Sequence, residues 1–277
     1  MGWRGKEVGQ DWVVRKLPLV EKPGGILAFD FDGTMYWPEH NPSVSVKLLD
    51  LIEFLRKEKG YLWGICTGRS MMHLMEGLSE GFSFLPDFAV TREREIFYPN
   101  QFGRFLPDEK WNKKCDKDHR RLFKKVGKEL KAVRHYVEEV AKGEWVTVEG
   151  DLAGVVLPEE AEMDGLLEEV TRLCAGCQEL GYERNGIYLR FSHADYGKGP
   201  ALLEVARREG VTSSQVVAGG DNFNDLSLFR SEVTGCPICP GNAVPEVKAR
   251  VKEGGGVVAE AIASLGLVEA LEQVFPK

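Results

Sequence analysis

The sequence predicts an α/β protein in which a separate α+β domain is inserted into a domain built on a parallel sheet. Strand and helix patterns alternate in the first third and again in the last third, whereas hairpin signals fill the middle. Alternation favours parallel strands covered by helices, and hairpins give antiparallel strands. The predicted parts are an N-terminal extension at 1–24, a core domain at 25–90 and 192–277, and an inserted cap domain at 91–191.

The first part of the core is predicted to be a β-α-β unit. An apolar run predicts a strand at 26–30, and a second strand is expected at 61–66. Between them a helix is expected at about 44–58, with Ser43 as its cap. The spacing of its apolar residues predicts that one face is buried, formed by Val46, Leu49, Ile52 and Leu55.

The middle of the chain reads as a helix followed by a hairpin, twice over. A charged helical pattern runs from about 114 to 142, and "EWVTVEGDLAGVVLP" then alternates like two strands around Glu149-Gly150-Asp151. A second helix has apolar residues from Met163 onward at helical spacing. It is followed by "YERNGIYLRF", where Asn185-Gly186 is a strong hairpin signal.

The last third returns to the alternating pattern. Helices are expected at about 199–209 and 224–230, and strands at 215–219 and near 233–238. An apolar Val257-Val258 pair and a C-terminal helix follow. Because the chain would cross between the two domains twice, we expect a cleft between them, and ligand sites favour such clefts.

The bulk properties indicate a small partner. The 277 residues carry a formal net charge of -7 and a pI near 5.5, which argues against binding to nucleic acid or to an anionic membrane surface. The sequence has no apolar run of membrane-spanning length, and its first residues lack the pattern of a signal peptide. We therefore expect a cytoplasmic protein that acts on a small molecule, with no protein partner predicted.

Polar residues follow three of the predicted core strands. Open α/β sheets bind ligands beyond the carboxyl ends of their strands, and Asp30, Thr67 and Asp221 would lie there. Each residue alone is ordinary loop chemistry, since Asp and Thr beside Gly are common in turns. Together with Asp32 and Asp225, however, they would bring four carboxylates to one edge, and like charges that close need a cation.

Oxygen ligands in this number suit Mg²⁺, which usually shares its coordination with a substrate phosphate. A lysine would help to balance the charge, and Lys198 stands at the start of a predicted helix. Glycines beside these residues would let the backbone turn tightly or approach a ligand: Gly33, Gly68 and Gly220.

Four motifs carry a resemblance to a known family. "DFDGT", "CTGR", Lys198 and "GDNFND" occur in this order, with the long insertion between the second and the third. They resemble the motifs of the haloacid dehalogenase-like (HAD) phosphatase superfamily. The insertion is similar to the C2 cap, type B, of subfamily IIB, the Cof-like and sucrose-phosphatase-like branch. The resemblance covers the chain from about residue 25 onward and implies a Rossmann-like parallel-sheet core.

The resemblance also implies a role for each matching residue. Asp30 would be the nucleophile that forms an aspartyl-phosphate, and Asp32 would be the general acid and base. Thr67 would hydrogen-bond the transferring phosphoryl group, and Lys198 would neutralise its charge. Mg²⁺ would be held by Asp30, Asp32, Asp221 and Asp225. The phosphate would be bound by Gly33, Thr34, Gly68, Arg69 and Asn224.

The function implied is a Mg²⁺-dependent phosphomonoesterase that hydrolyses a small phosphorylated metabolite, with a sugar phosphate as the expected substrate. Two alternatives stay open. One is a sugar phosphomutase, since phosphomannomutases resemble this motif set and cap type. The other is a non-catalytic ligand-binding or regulatory protein of the same fold, because fold alone does not settle function.

Two further features have competing explanations. "CAGC" (Cys174, Cys177) and "CPIC" (Cys236, Cys239) each have the spacing of half a zinc site, although buried packing explains them as well. In addition, "REREIFY" from residue 92 stands where the sucrose-phosphatase-like branch carries a glycine-containing turn. Its arginines would either face a second anionic group of the substrate or lie on a solvated strand edge.

Overall fold

The computed structural model describes residues 14–147 and 153–276. The first part of the chain forms five strands and two helices. In chain order they are β1 (Gly25–Phe29), α1 (Val46–Lys59), β2 (Tyr61–Cys66), α2 (Met71–Leu78), β3 (Phe88–Thr91), β4 (Glu95–Pro99) and β5 (Phe105–Pro107). The predicted β-α-β unit is therefore confirmed.

Helix α1 differs from its prediction at its first turn. It begins at Val46, so Ser43 is not its cap, and Ser45 precedes it without a side-chain cap bond. Val46 is exposed, whereas the other three predicted core positions of the helix are buried. The helix ends at Gly60, whose φ of 68° is the left-handed conformation that glycine adopts at little cost.

In its described residues, the inserted part has four strands and three α-helices. In chain order they are α3 (Glu109–Lys125), α4 (Gly127–Glu139), β6 (Glu144–Val146), β7 (Gly154–Val156), α5 (Met163–Leu173), β8 (Leu180–Asn185) and β9 (Tyr188–His193). The predicted helix at 114–142 is thus two helices that meet at Val126. The hairpin at Asn185-Gly186 is confirmed, with Gly186 at a φ of 54°. The predicted turn at Glu149-Gly150-Asp151 lies outside the described residues.

The chain then returns to the core with three more strands and three helices. They are α6 (Lys198–Glu209), β10 (Val216–Gly219), β11 (Cys236–Cys239), α7 (Pro245–Glu253), β12 (Val257–Val258) and α8 (Ala263–Val274). The helix expected at 224–230 is a 3₁₀ helix, Phe223–Phe229, which connects β10 to β11.

These strands form two sheets. The large sheet has eight strands in the order β12-β11-β10-β1-β2-β3-β4-β5, and only the pairings of β3 with β4 and of β4 with β5 are antiparallel. The small sheet is antiparallel, in the order β6-β7-β9-β8. The large sheet therefore continues past residue 91, the predicted boundary of the inserted domain. Strands β4 and β5 thus join the large sheet, although they lie within the predicted inserted domain.

Helices cover both faces of the large sheet. One buried cluster packs α1 and α8 against the sheet, through residues such as Leu48 and Leu267. The other packs α6 and α7 against the opposite face, through residues such as Leu202 and Val247. A third buried cluster belongs to the inserted part. The fold is thus the predicted α/β architecture with an inserted α+β unit.

The separate clusters also show where the two predicted half zinc sites lie in the fold. Cys174 and Cys177 pack against the cluster of the inserted part, whereas Cys236 and Cys239 belong to the two faces of the large sheet. All four thiols are unpaired by disulfides. In the described part of the chain, no cysteine takes part in a group of three or more potential metal ligands. These positions support the explanation by packing.

Within residues 14–147 and 153–276, no helix is both long and apolar enough to cross a bilayer.

Candidate active site

The predicted convergence of polar residues at one sheet edge is present in the structure. Strands β10, β1 and β2 are parallel neighbours at the centre of the large sheet. Asp221, Asp30 and Thr67 follow the carboxyl ends of these three strands. The backbone N–H of Asp30 still donates to Gly219, at 2.8 Å, so the sheet itself fixes the position of this carboxylate.

Lys198 lies at the centre of this group and is completely buried. Its Nζ is 2.6 Å from Asp30 Oδ1, 2.7 Å from Asp225 Oδ1 and 3.6 Å from Glu93 Oε2. A buried ammonium is stable only when acceptors surround it, and these carboxylates supply them. The lysine thus holds the predicted nucleophile and residues from two other loops in one cluster.

The geometry is suitable for a cation. One oxygen from each of Asp30, Asp221 and Asp225 lies within 4.8 Å of the others. Asp225 is already engaged, because its Oδ2 accepts from the backbone N–H groups of Asp221 and Asn222 at 2.9 and 3.0 Å. It therefore shapes the loop that presents Asp221. Three hard oxygen donors in a partly closed site match the preference of Mg²⁺.

The glycines beside Asp221 and Asp225 are required by close contacts. A Cβ on Gly220 would lie 2.3 Å from Asp225 Cγ, and one on Gly33 would lie 2.5 Å from Asp221 Oδ2. Gly33 also has a φ of 76°. The hydroxyl of Thr34 donates to Asp221 Oδ1 at 2.7 Å. This short turn therefore orients a predicted metal ligand.

The second aspartate of the "DFDGT" motif is paired with Arg69. The guanidinium Nε donates to Asp32 Oδ2 at 2.8 Å, and Nη2 donates to Asp32 Oδ1 at 2.5 Å. The guanidinium also lies over the ring of Phe31, 4.7 Å from its centroid. Asp32 is half exposed and lines the cleft described below. Arg69 was predicted to contact phosphate, and here it holds Asp32 in place.

Sequence reasoning missed Glu93 as a site residue. This buried glutamate lies in the turn between β3 and β4, where Arg92 and Glu93 have φ values of 48° and 67°. Its Oε1 accepts from Asn224 Nδ2 at 3.1 Å. The available signal was its position after a third central strand, at the same edge as Thr67. Neither Arg92 nor Arg94, the arginines beside Glu93, lines the cleft.

A cleft of about 490 Å³ separates the large sheet edge from the small sheet. Its core side includes Asp30, Asp32, Thr67, Gly68, Arg69, His73, Glu93 and Asn224. Its other side is formed by the inserted part, with Val146, Ala153, Gly154, Val155, Glu183, Asn185, Tyr188, Leu189 and Arg190. This volume lies within the range of small-molecule sites. Of the four predicted catalytic residues, Asp30, Asp32 and Thr67 therefore line the cleft, and Lys198 is buried behind Asp30.

Contacts between described residues join the inserted part to the core around this cleft. Arg190 Nη1 donates to the carbonyl of Gly68 at 3.3 Å, and Asn222 Nδ2 donates to Asn185 Oδ1 at 3.0 Å. The guanidinium of Arg184 lies 4.4 Å from the centroid of the Phe223 ring. These contacts would have to break for the inserted part to move away from the core and widen the cleft.

The concentration of carboxylates changes their acidity. Burial, followed by the charge of Asp225, raises the pKa of Asp221 to about 7. Burial also raises the pKa of Asp30 well above its usual value, although Lys198 opposes the change. For Lys198, burial acts to lower the pKa, but Asp225, Asp30 and Glu93 together raise it well above its usual value. The site therefore has more negative charge than the one lysine balances.

Comparison with known proteins identifies the family. The family model described as haloacid dehalogenase-like hydrolase matches residues 73–261. The chain belongs to this family. The hydrolase is also 36% identical over 88 residues to a phosphoglycolate phosphatase of Archaeoglobus fulgidus, a match that covers 32% of this chain and 37% of the relative. The matched segments thus span about a third of the length of the first curated relatives.

Solved structures share the fold of this hydrolase over nearly its whole length. The sucrose-phosphatase from Synechocystis sp. PCC6803, in complex with sucrose and phosphate, has a TM-score of 0.68 at 18% identity and covers 91% of this chain and 98% of its own. The HAD subclass IIB sugar phosphatase BT4131 has a TM-score of 0.57 at 17% identity and covers 90% and 98%. The core with its inserted α+β part is therefore the architecture of this group.

Proposed function

We propose that this hydrolase is a Mg²⁺-dependent phosphomonoesterase that acts on a sugar phosphate through an aspartyl-phosphate intermediate. One observation carries the proposal: Asp30 lines the cleft, is held by the buried Lys198, and lies beside Asp221 at a distance suitable for a shared cation. Relatives and structural neighbours named as phosphatases support the reaction class. The neighbours named for sugar phosphates support the substrate class.

In the first step, a carboxylate oxygen of Asp30 would form a bond to phosphorus while the ester P–O bond breaks. Asp32 would give a proton to the departing oxygen, so the leaving group departs as an alcohol. Lys198 would stay protonated and would offset the charge on the phosphoryl oxygens, together with the hydroxyl of Thr67. Mg²⁺ held by Asp30 and Asp221 would supply further positive charge at the phosphoryl group.

In the second step, water would attack the aspartyl-phosphate and Asp32 would accept its proton. Phosphate would leave and Asp30 would be restored as a carboxylate. The pairing of Asp32 with Arg69 supports this role, because it fixes the side chain at the mouth of the cleft. A half-exposed position also lets this carboxyl exchange protons with solvent between the two steps.

The test is phosphate release from sugar phosphates and p-nitrophenyl phosphate, with and without Mg²⁺. We expect Mg²⁺-dependent release that Asp30→Asn abolishes and that the surface control Asp50→Asn retains, since Asp50 is exposed on α1. Phosphorus NMR distinguishes release to water from transfer between sugar hydroxyls, the mutase reaction. A folded protein that binds Mg²⁺ and releases phosphate from none of these compounds would refute the proposal.

A further inference from the structure

Three acceptor atoms around the cleft have no hydrogen-bond partner within the described residues. They are Glu93 Oε2, Glu183 Oε2 and Asn224 Oδ1, and all three are closed off from solvent. The three residues line the same cavity, Glu93 and Asn224 from the core and Glu183 from the inserted part. Glu93 and Asn224 are 6% and 7% exposed. A buried polar atom without a hydrogen bond costs about 1–3 kcal/mol. The Lys198 ammonium, 3.6 Å from Glu93 Oε2, offsets part of this cost by charge but leaves the hydrogen bond unmade, so the arrangement favours a ligand that brings donors.

The cations of the cleft, by contrast, already have acceptors. Arg69 donates twice to Asp32, and Lys198 donates to Asp30 and Asp225. Arg190 donates to the Gly68 carbonyl. A ligand that brings hydrogen-bond donors would therefore suit the cleft better than a ligand that brings a further anionic group.

Charge leads to the same conclusion. Burial, followed by the charge of Glu93, raises the pKa of Glu183 well above its usual value. Burial and Glu93 thus make a negative charge unfavourable at this end of the cleft. A further negative group on the substrate would be unfavourable there for the same reasons, whereas a hydroxyl can donate to Glu93 and can hydrogen-bond to Glu183 in either protonation state.

We propose that Glu93, Glu183 and Asn224 determine specificity by accepting hydrogen bonds from a polyhydroxylated, uncharged leaving group, and that they select against leaving groups with a carboxylate. The inference rests on the proposed phosphatase function and narrows its substrate class. It separates this chain from relatives named phosphoglycolate phosphatase, whose named substrate carries a carboxylate. The polyol would bind with its phosphate toward Asp30 and its hydroxyls toward the three acceptors.

The experiment compares three leaving groups. They are a polyol (the best of glucose, mannose, fructose and sorbitol 6-phosphates), a simple alcohol (ethyl phosphate) and a carboxylate (phosphoglycolate). We expect kcat/KM to fall in this order, by about tenfold for each satisfied hydrogen bond that is lost. Glucosamine 6-phosphate is included because an ammonium also donates, and its rank shows whether a charged donor replaces a hydroxyl.

Variants then assign the preference to residues. Glu183→Gln is expected to lower the ratio of kcat/KM for the polyol phosphate to kcat/KM for ethyl phosphate by about tenfold. The same variant should raise the ratio of kcat/KM for phosphoglycolate to kcat/KM for ethyl phosphate. The matched control is Glu168→Gln, on the exposed side of α5, for which both ratios should stay unchanged. Thermal unfolding of both variants verifies that they are folded. Wild-type preference for phosphoglycolate, or Glu183→Gln ratios within twofold of wild type, would overturn the inference.

Measurements of binding test this inference independently of the proposed reaction. Asp30→Asn retains the three acceptors, so calorimetry with this variant and Mg²⁺ should give tighter binding for the polyol phosphate than for phosphoglycolate. If wild type hydrolyses no compound, including p-nitrophenyl phosphate, the proposed reaction fails, and the order of these affinities still decides the inference. Equal affinities, or tighter binding of phosphoglycolate, would overturn it.

Discussion

Replacing Lys198 by methionine tests the central cluster most directly. Methionine nearly keeps the volume of the side chain but removes the ammonium. The lysine is completely buried, with Nζ 2.6 Å from Asp30 and 2.7 Å from Asp225. Its loss would leave Asp225, which is also completely buried, without a counter-charge. Removing one partner of a buried ion pair costs about 3–5 kcal/mol.

For a chain of this size, each kcal/mol lowers the melting temperature by about 2–4 °C. We therefore expect Lys198→Met to melt about 10 °C below wild type in metal-free buffer at pH 8. Circular dichroism provides the measurement, with Lys47→Met as the control because Lys47 is exposed on α1. Phosphate release by the Lys198 variant should be lost as well.

The pH dependence of this deficit has a definite sign. Burial already raises the folded-state pKa of Asp30, and without the lysine this pKa rises further above that of the unfolded chain. A group whose pKa is raised by folding loses stability as pH rises toward that value. The deficit should therefore grow from pH 5 to pH 8, and Mg²⁺ should reduce it. A melting temperature within 2 °C of wild type at pH 8 without metal would refute this account of the cluster.

Three further predictions concern neighbouring residues. Asp32→Asn should lower kcat for sugar phosphates by about 10²–10⁴-fold. The loss should be smaller for p-nitrophenyl phosphate, because its leaving group needs no proton. Equal losses for the two substrates would contradict the role of Asp32 as an acid. Since Asp221 has a pKa raised to about 7, the Mg²⁺ affinity measured by calorimetry should fall by up to about tenfold per pH unit below pH 7; a constant affinity from pH 5 to 8 would exclude Asp221 as a ligand. Gly220→Ala should weaken Mg²⁺ binding and activity because its Cβ would meet Asp225, whereas Gly165→Ala, which has open space on α5, should raise stability by about 0.5–1 kcal/mol.

The residues that could be placed from sequence are those fixed by strand ends. Asp30, Thr67 and Asp221 each follow an apolar run directly, and parallel pairing then brings the ends together without knowledge of any loop. Lys198 could be placed because it begins a helix whose apolar pattern was evident. For such residues, local pattern and topology together determine position.

Residues that depend on turn conformation or on docking between the two parts could not be placed. Glu93 reaches the site because two consecutive non-glycine residues adopt positive φ, which no local pattern announces. Glu183 reaches it only because the small sheet lies over the core edge. The continuation of the large sheet into β4 and β5 was missed for a related reason: a hairpin signal specifies antiparallel neighbours but not the sheet that they join.

The turn that holds Glu93 constrains how this enzyme can change during evolution. Glu93 lies 3.6 Å from the Lys198 ammonium and also holds Asn224. Under the proposed function, a mutation that alters Glu93 would change the recognition of the leaving group and the electrostatics of phosphoryl transfer together, so the two effects would be strongly epistatic. Glu183 is carried by the inserted part and makes no ion pair with Lys198 among those between described residues. Adaptation to a new substrate is therefore expected to proceed first through position 183, with position 93 changing only alongside compensating substitutions around the lysine.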